Sequence, residues 1–76
     1  MNAADPQEVK ELLLQSNDQY RQLAEQHYQL DHRLHELHGK HYLSDTEQVE
    51  QVTLKKRKLA LKDRMEVIAR GYLGVP

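Results

Sequence analysis

Apolar residues in the first half of the chain recur in alternating steps of four and three. Val9, Leu13, Ser16, Tyr20, Leu23, His27, Leu30, Leu34 and Leu37 occupy these steps, with Ser16 and His27 as the weak points. Such spacing puts the set on one side of an α-helix and forms the seam of a coiled coil. The seam starts behind Asp5-Pro6-Gln7-Glu8, where a cap residue, a proline at the first helical position and an early acid make a helix start. Nothing between positions 6 and 38 reads as a breaker. One helix over about 6–38 is therefore predicted, closed by Gly39 in the left-handed conformation.

After a connection at 39–44 a second helical pattern begins. Ser44-Asp45-Thr46-Glu47 has the S-x-x-E spacing of a capping box, and a helix is predicted from about 45 to 70. Gly71 is the expected left-handed closing residue, with Tyr72 folding back on Val67 and residues 71–76 as a short tail. The apolar residues of this helix fall on two stripes. Leu54, Leu61, Met65, Ile68 and Tyr72 share one; Val49, Val52, Leu59 and Val67 lie nearly opposite.

A short turn makes the helices antiparallel neighbours. Counting outward from it, Leu30 comes level with Leu54, Leu23 with Leu61, Ser16 with Ile68 and Leu13 with Tyr72. The expected hairpin seam is Leu23, Leu30, Leu34, Leu54, Leu61, Met65 and Ile68. A two-helix hairpin has no means of covering the second stripe of the second helix. Val49, Val52 and Leu59 are therefore expected to make contacts between chains, the bland alternative being scattered surface apolar residues. The predicted fold is all-α: one antiparallel two-helix hairpin of coiled-coil character spanning 1–76. It is expected to self-associate into a helical bundle, most simply as a dimer.

Composition agrees with this need for a partner. At 76 residues, with no Cys, Phe or Trp, the chain can form no disulfide or thiolate zinc site and lacks the usual large core anchors. Charged residues make up 30% of it, as in long helices. Neither a signal peptide nor a membrane span is visible, so a cytoplasmic setting without membrane partners is expected.

Charge is unevenly placed. Residues 1–38 carry seven acids and three bases, 39–54 three acids and one base, and 55–70 seven bases and two acids. The stretch LKKRKLALKDRM at 54–65 holds most of the positive charge. In the antiparallel register Asp31, Glu25 and Asp18 fall level with about 53, 59 and 66, in reach of Lys55, Lys58, Lys62 and Arg70. Charge matching through Asp31, Lys55, Lys58 and Lys62 is the favoured reading. An exposed ion pair contributes only ~0–1 kcal/mol, but a set of them can fix register. Lys58 sits in the seam between Leu54 and Leu61, opposite about His27, and needs a carboxylate such as Asp31 or Glu25 or a path for its amine to water.

LKKRKLALKD, with LDHRLHEL at 30–37 and His41-Tyr42-Leu43 in support, resembles the YdcH-like family of small bacterial proteins of unknown function. The resemblance covers about residues 20–70. It implies a helical hairpin of coiled-coil character and no established activity. The histidine content departs from the family pattern.

Five histidines, His27, His32, His35, His38 and His41, fall within fifteen positions. Asp31, His35 and His38 share a helix face, as do His27, Asp31 and His35. Such spacing can present imidazoles to a metal ion, with a further ligand from a second chain. No cysteine and no H-E-x-x-H motif supports a dedicated site, so His27, Asp31, His35 and His38 are read as polar surface and no metal is expected. With a reference pKa of ~6.5, the five would gain charge in mild acid.

Catalysis is not expected. Ser16, Ser44 and Thr53 lack a base-and-orienter set, and no glycine-rich phosphate loop is present. No cofactor is implied. The expected function is a non-catalytic structural or protein-interaction module that forms homo-oligomers, with an unidentified protein partner also open. The alternative is a small regulatory protein that binds nucleic acid or an acidic partner through the basic second helix. Nucleic acid is the less favoured partner, because the basic residues point in several directions and no exposed aromatics are interleaved to stack on bases.

Overall fold

The computed structural model describes residues 5–74. They form three helices, α1 (Pro6–Ser16), α2 (Asp18–His38) and α3 (Asp45–Leu73), and no strand among the described residues. The chain is all-helical, but the expected two-helix count is corrected to three. The single helix predicted over about 6–38 is broken at Asn17.

The break has a local cause. Asn17 is extended, at φ −123° and ψ 107°, and its side-chain oxygen accepts from the Tyr20 N–H at 2.8 Å. It is the N-cap of α2, followed by Asp18 in the first turn, where an acid suits the positive end of the helix dipole. On the other side, the Ser16 hydroxyl donates to the Leu12 carbonyl at 2.6 Å, and the Asn17 N–H donates to Leu13 at 2.9 Å. Short polar side chains compete in this way for backbone groups that a continuous helix would use.

Breaking the helix frees α1 to lean on the far end of α3. Val9, Leu13 and Tyr20 are buried together, with Met65, Ile68 and Ala69 packed against them. Two helices side by side should measure about 20 by 10–12 Å in cross-section. The observed dimensions are 47 × 21 × 20 Å, so α1 lies out of the plane of the other two. Leu13 thus packs in the cluster that includes Ile68, and Tyr72, expected opposite Leu13, is left more than half exposed.

A second cluster sits at the turn. Leu34, Leu37 and Leu54 are buried there, with Leu30 and Leu43 alongside. Leu37 is only 1% exposed. Leu23 is buried, and Leu61 is half-buried.

The helix ends also differ from expectation. Gly39 is right-handed, at φ −78° and ψ −8°. Its N–H donates to the carbonyls of His35 and Glu36 at 3.1 and 3.2 Å, and the Lys40 N–H donates to Leu37 at 3.2 Å. The last turn of α2 tightens and satisfies its own carbonyls, so no left-handed residue is needed. Gly71 does not close α3, which continues to Leu73 instead of stopping near 70. Gly74, at φ 71°, takes the left-handed position, its N–H bonded to the end of the helix. Tyr72 is helical and does not fold back on Val67; both are exposed. The other end of α3 is a complete capping box. The Glu47 N–H donates to the Ser44 hydroxyl at 3.2 Å, and the Ser44 N–H donates to the Glu47 carboxylate at 3.1 Å. Residues 75–76 of the expected tail and residues 1–4 lie outside the described residues.

Candidate interaction surfaces

Among the described residues, three ion pairs tie α3 to the rest of the hairpin. Lys58 donates to Asp31 across the α2–α3 seam. Its amine and its hydrogen bond hold the Asp31 carboxyl below the usual range, with smaller contributions from His27 and His35. Nearer the turn, Arg33 makes a two-pronged contact with Glu50, Nε at 2.8 Å and one terminal nitrogen at 3.0 Å. This fork geometry is well suited to a carboxylate. It lowers the Glu50 pKa and raises that of Arg33. At the turn itself, Lys40 donates to Glu47. Together with the Ser44 backbone N–H, that bond pulls the Glu47 carboxyl from an ordinary 4.5 down to about 2.

Of the charge-matching candidates, the fold brings together Lys58 and Asp31. Lys55 and Lys62 have no cross-helix ion pair among the described residues, nor does Glu25. Asp18 pairs with Arg21 on its own helix, and Arg70 meets Glu66 at 4.0 Å within α3. The Arg33–Glu50 fork escaped sequence reasoning. The register that made Asp31 level with about 53 also makes Arg33 level with about 51. The signal was there, but its polarity runs against the overall acidic-to-basic trend.

Lys55, Lys58 and Lys62 line one side of an open groove of about 640 Å³. Tyr28, His32, His35 and His38 of α2 also line it. The Tyr28 and His32 rings lie 6.4 Å apart, tilted by 41°. The groove therefore collects three lysines, one of them paired with Asp31, three histidines and an exposed aromatic on one face, a grouping that their spacing around the isolated helix does not reveal. His27 is set apart, half-buried beside a separate groove lined by Val9, Tyr20, Lys58 and Met65. Among the described residues, no three His, Cys, Asp or Glu side chains gather into a group that could hold a metal ion. The spacing of His27, Asp31, His35 and His38 thus does not assemble into a cage here.

The outward face of α3 is different in kind. Val49, Val52, Leu59 and Val67 are 67, 54, 60 and 66% exposed. At 100° per residue they lie with Lys56 and Asp63 within about 80° of one another, opposite the packed stripe of Leu54, Leu61, Met65 and Ile68. The seam residues Leu23, Leu30, Leu34 and Leu54 sit inside the hairpin, while Val49 and Val52 face out and Leu59, also exposed, stands at the lip of the groove between α2 and α3. No helix among the described residues is long and apolar enough to cross a membrane.

A family model described as "Protein of unknown function (DUF465)" matches residues 21–69, more than half of the chain. The match takes in most of α2 and α3 and leaves out α1. No curated protein and no solved structure matches the chain.

Proposed function

The chain belongs to the DUF465 family, and we propose that its role is assembly: a non-catalytic structural or protein-interaction module that joins copies of itself through α3. The observation that carries this reading is a helix apolar on two opposite sides. One side is occupied within the chain, and the other is open. A row of exposed apolar side chains on a helix, here with Lys56 and Asp63 set into it, is a common form of partner surface. Assembly also fits the state of the hydroxyls: Ser16 is bonded to the Leu12 carbonyl and Ser44 is engaged in its cap. Within the family, we group the chain with the YdcH-like bacterial proteins on the likeness of LKKRKLALKD and LDHRLHEL.

Light scattering tests the proposal. The 9.0 kDa chain is expected to run at twice that mass or more. Replacing Val52 and Leu59 together by Ser should bring it down to one chain while leaving helix content intact. A wild-type chain that stays single at all concentrations overturns the reading.

One observation favours a second reading, in which the basic helix binds nucleic acid or an acidic protein. It is the groove that lines up Lys55, Lys58 and Lys62 with His32, His35 and His38 beside Tyr28. If it holds, single-stranded RNA or DNA binds with an affinity that falls steeply with salt, and Lys55→Glu with Lys62→Glu abolishes binding.

A further inference from the structure

The outward stripe of α3 is not only apolar. Its central part, from Val52 to Val67, is arranged symmetrically about its own middle. Reading along it, Val52, Lys56 and Leu59 on one side of the midpoint are answered by Ala60, Asp63 and Val67 on the other. Val52 stands as far from the midpoint as Val67, and Lys56 as far as Asp63. The two charges within the stripe have opposite signs and sit at mirrored distances.

We infer that a second copy of the chain docks here with its α3 antiparallel, about a two-fold axis passing between Leu59 and Ala60. The inference rests on the reading that copies associate through this face, and adds the direction and register of the contact. In an antiparallel pair, positions equidistant from the axis come level. Lys56 then meets Asp63 of the second copy, and Asp63 meets Lys56 of the second copy, so the contact holds two such pairs and each charge has a partner. Val52 meets Val67 of the second copy, and the reverse. The Leu59 side chains of the two copies meet beside the axis, flanked by Ala60, whose small side chain lets the helices approach. A two-fold contact demands this kind of self-complementary patch.

A parallel pair in register gives the opposite result. It sets Lys56 against Lys56 and Asp63 against Asp63, and facing like charges disfavour association. Glu66 lies on the same flank as Lys55, and the two-fold axis brings each to the level of the other within about two residues, at the rim. At the ends of the contact Val49 comes level with Arg70 of the second copy, and Lys62 lies as near the level of Lys55 as Glu66 does. The contact uses side chains that are exposed in the single chain and disturbs none of the three ion pairs that tie α3 inward.

The chain has no cysteine, so single cysteines report the geometry without background. Three variants are used: Lys56→Cys, Asp63→Cys and Ala60→Cys. Under mild oxidation, Ala60→Cys alone should cross-link across the axis. Lys56→Cys mixed with Asp63→Cys should cross-link between the two kinds of chain. Lys56→Cys alone should not, because its two copies stand about 10 Å apart along the helices. A charge swap gives the second measurement. Lys56→Glu should weaken association by on the order of tenfold, since two attractive pairs become repulsive. Adding Asp63→Lys to the same chain should restore it. Circular dichroism of each variant confirms that the monomer is folded. Self-cross-linking of Lys56→Cys, or a charge swap that fails to restore a chain that does associate, overturns the antiparallel register and leaves self-association standing. A wild-type chain that is single at every concentration overturns both.

Discussion

The two faces of α3 carry similar side chains and meet opposite fates. Inward, Leu54, Met65 and Ile68 pack against α2 and α1, and Leu61 is half-buried. Outward, Val49, Val52, Leu59 and Val67 stand in solvent, each more than half exposed. Residue type does not separate the faces; the availability of a neighbour does. Among the described residues there is one covering layer, α2 with α1 folded against its far end. A helix with an apolar stripe on both sides is built to be a middle layer. One of those layers is present, and the outward stripe is exposed.

Substitutions on the two faces should therefore separate cleanly. The largest effect is expected at Leu37 of α2, the most deeply buried residue of the turn cluster that covers the inner face of α3. Leu37→Ala should lower the unfolding free energy by ~2–5 kcal/mol in urea denaturation, a large share of what a small chain possesses. Leu59→Ser on the outer face, measured at high dilution, should fall within about 0.5 kcal/mol of wild type. Equal losses at the two sites would erase the distinction.

Next is the hinge that makes the inner layer. Asn17→Ala removes the α2 cap and should cost ~0.5–2 kcal/mol by the same measurement. Its effect should concentrate at the distal cluster of Val9, Leu13 and Tyr20, seen as faster amide exchange in α1 and at the end of α3, with the turn cluster unchanged. Uniform acceleration along all three helices would contradict two separable clusters.

A smaller effect of opposite sign is expected at Gly39. Its backbone is right-handed, and an added Cβ would meet the nearest carbonyl oxygens at ordinary contact distances of 3.5 and 3.7 Å. Gly39→Ala should be neutral or stabilise by ~0.4–1 kcal/mol, because the unfolded chain loses freedom. A clear loss of stability would mean that this turn needs the left-handed conformation after all.

The gentlest probe is acid. Asp31, Glu47 and Glu50 all have lowered pKa values from their pairing with Lys58, Lys40 and Arg33. A carboxylate whose pKa is lower in the folded chain contributes stability above its unfolded value and loses it as protons bind. Stability should therefore decline as pH falls from about 4.5 toward 2, the interval over which Glu47 shifts. The Lys40→Met variant should flatten that decline near the turn. A profile unchanged by this substitution would show that the turn pair contributes nothing to folding.

Much of this architecture was legible along the chain. The steps of four and three mark α2 and the seam, because burial along a helix selects apolar residues at that spacing. The Ser44–Glu47 box marks the start of α3 through its own hydrogen bonds. The break at Asn17 was hidden for a physical reason. Leu13, Ser16 and Tyr20 keep the heptad steps straight through it, since a single extended residue need not disturb a spacing count. The triplet Ser16-Asn17-Asp18 carried the signal in its capping chemistry instead. The end of α3 was misplaced because two glycines compete there, and three further residues of helix outweigh the propensity cost of Gly71. The cationic groove was out of reach, since it exists only once α2 and α3 are side by side.

We propose that the inner face of α3 folds the chain and the outer face joins copies of it. Folding that is coupled to association depends on concentration, by mass action. The most direct test is the thermal midpoint of wild type measured over a hundredfold range of chain concentration, beside Leu59→Ser with Val52→Ser. The midpoint of wild type should climb with concentration, and that of the doubly substituted chain should stay flat. A wild-type midpoint that does not move with concentration would contradict the claim.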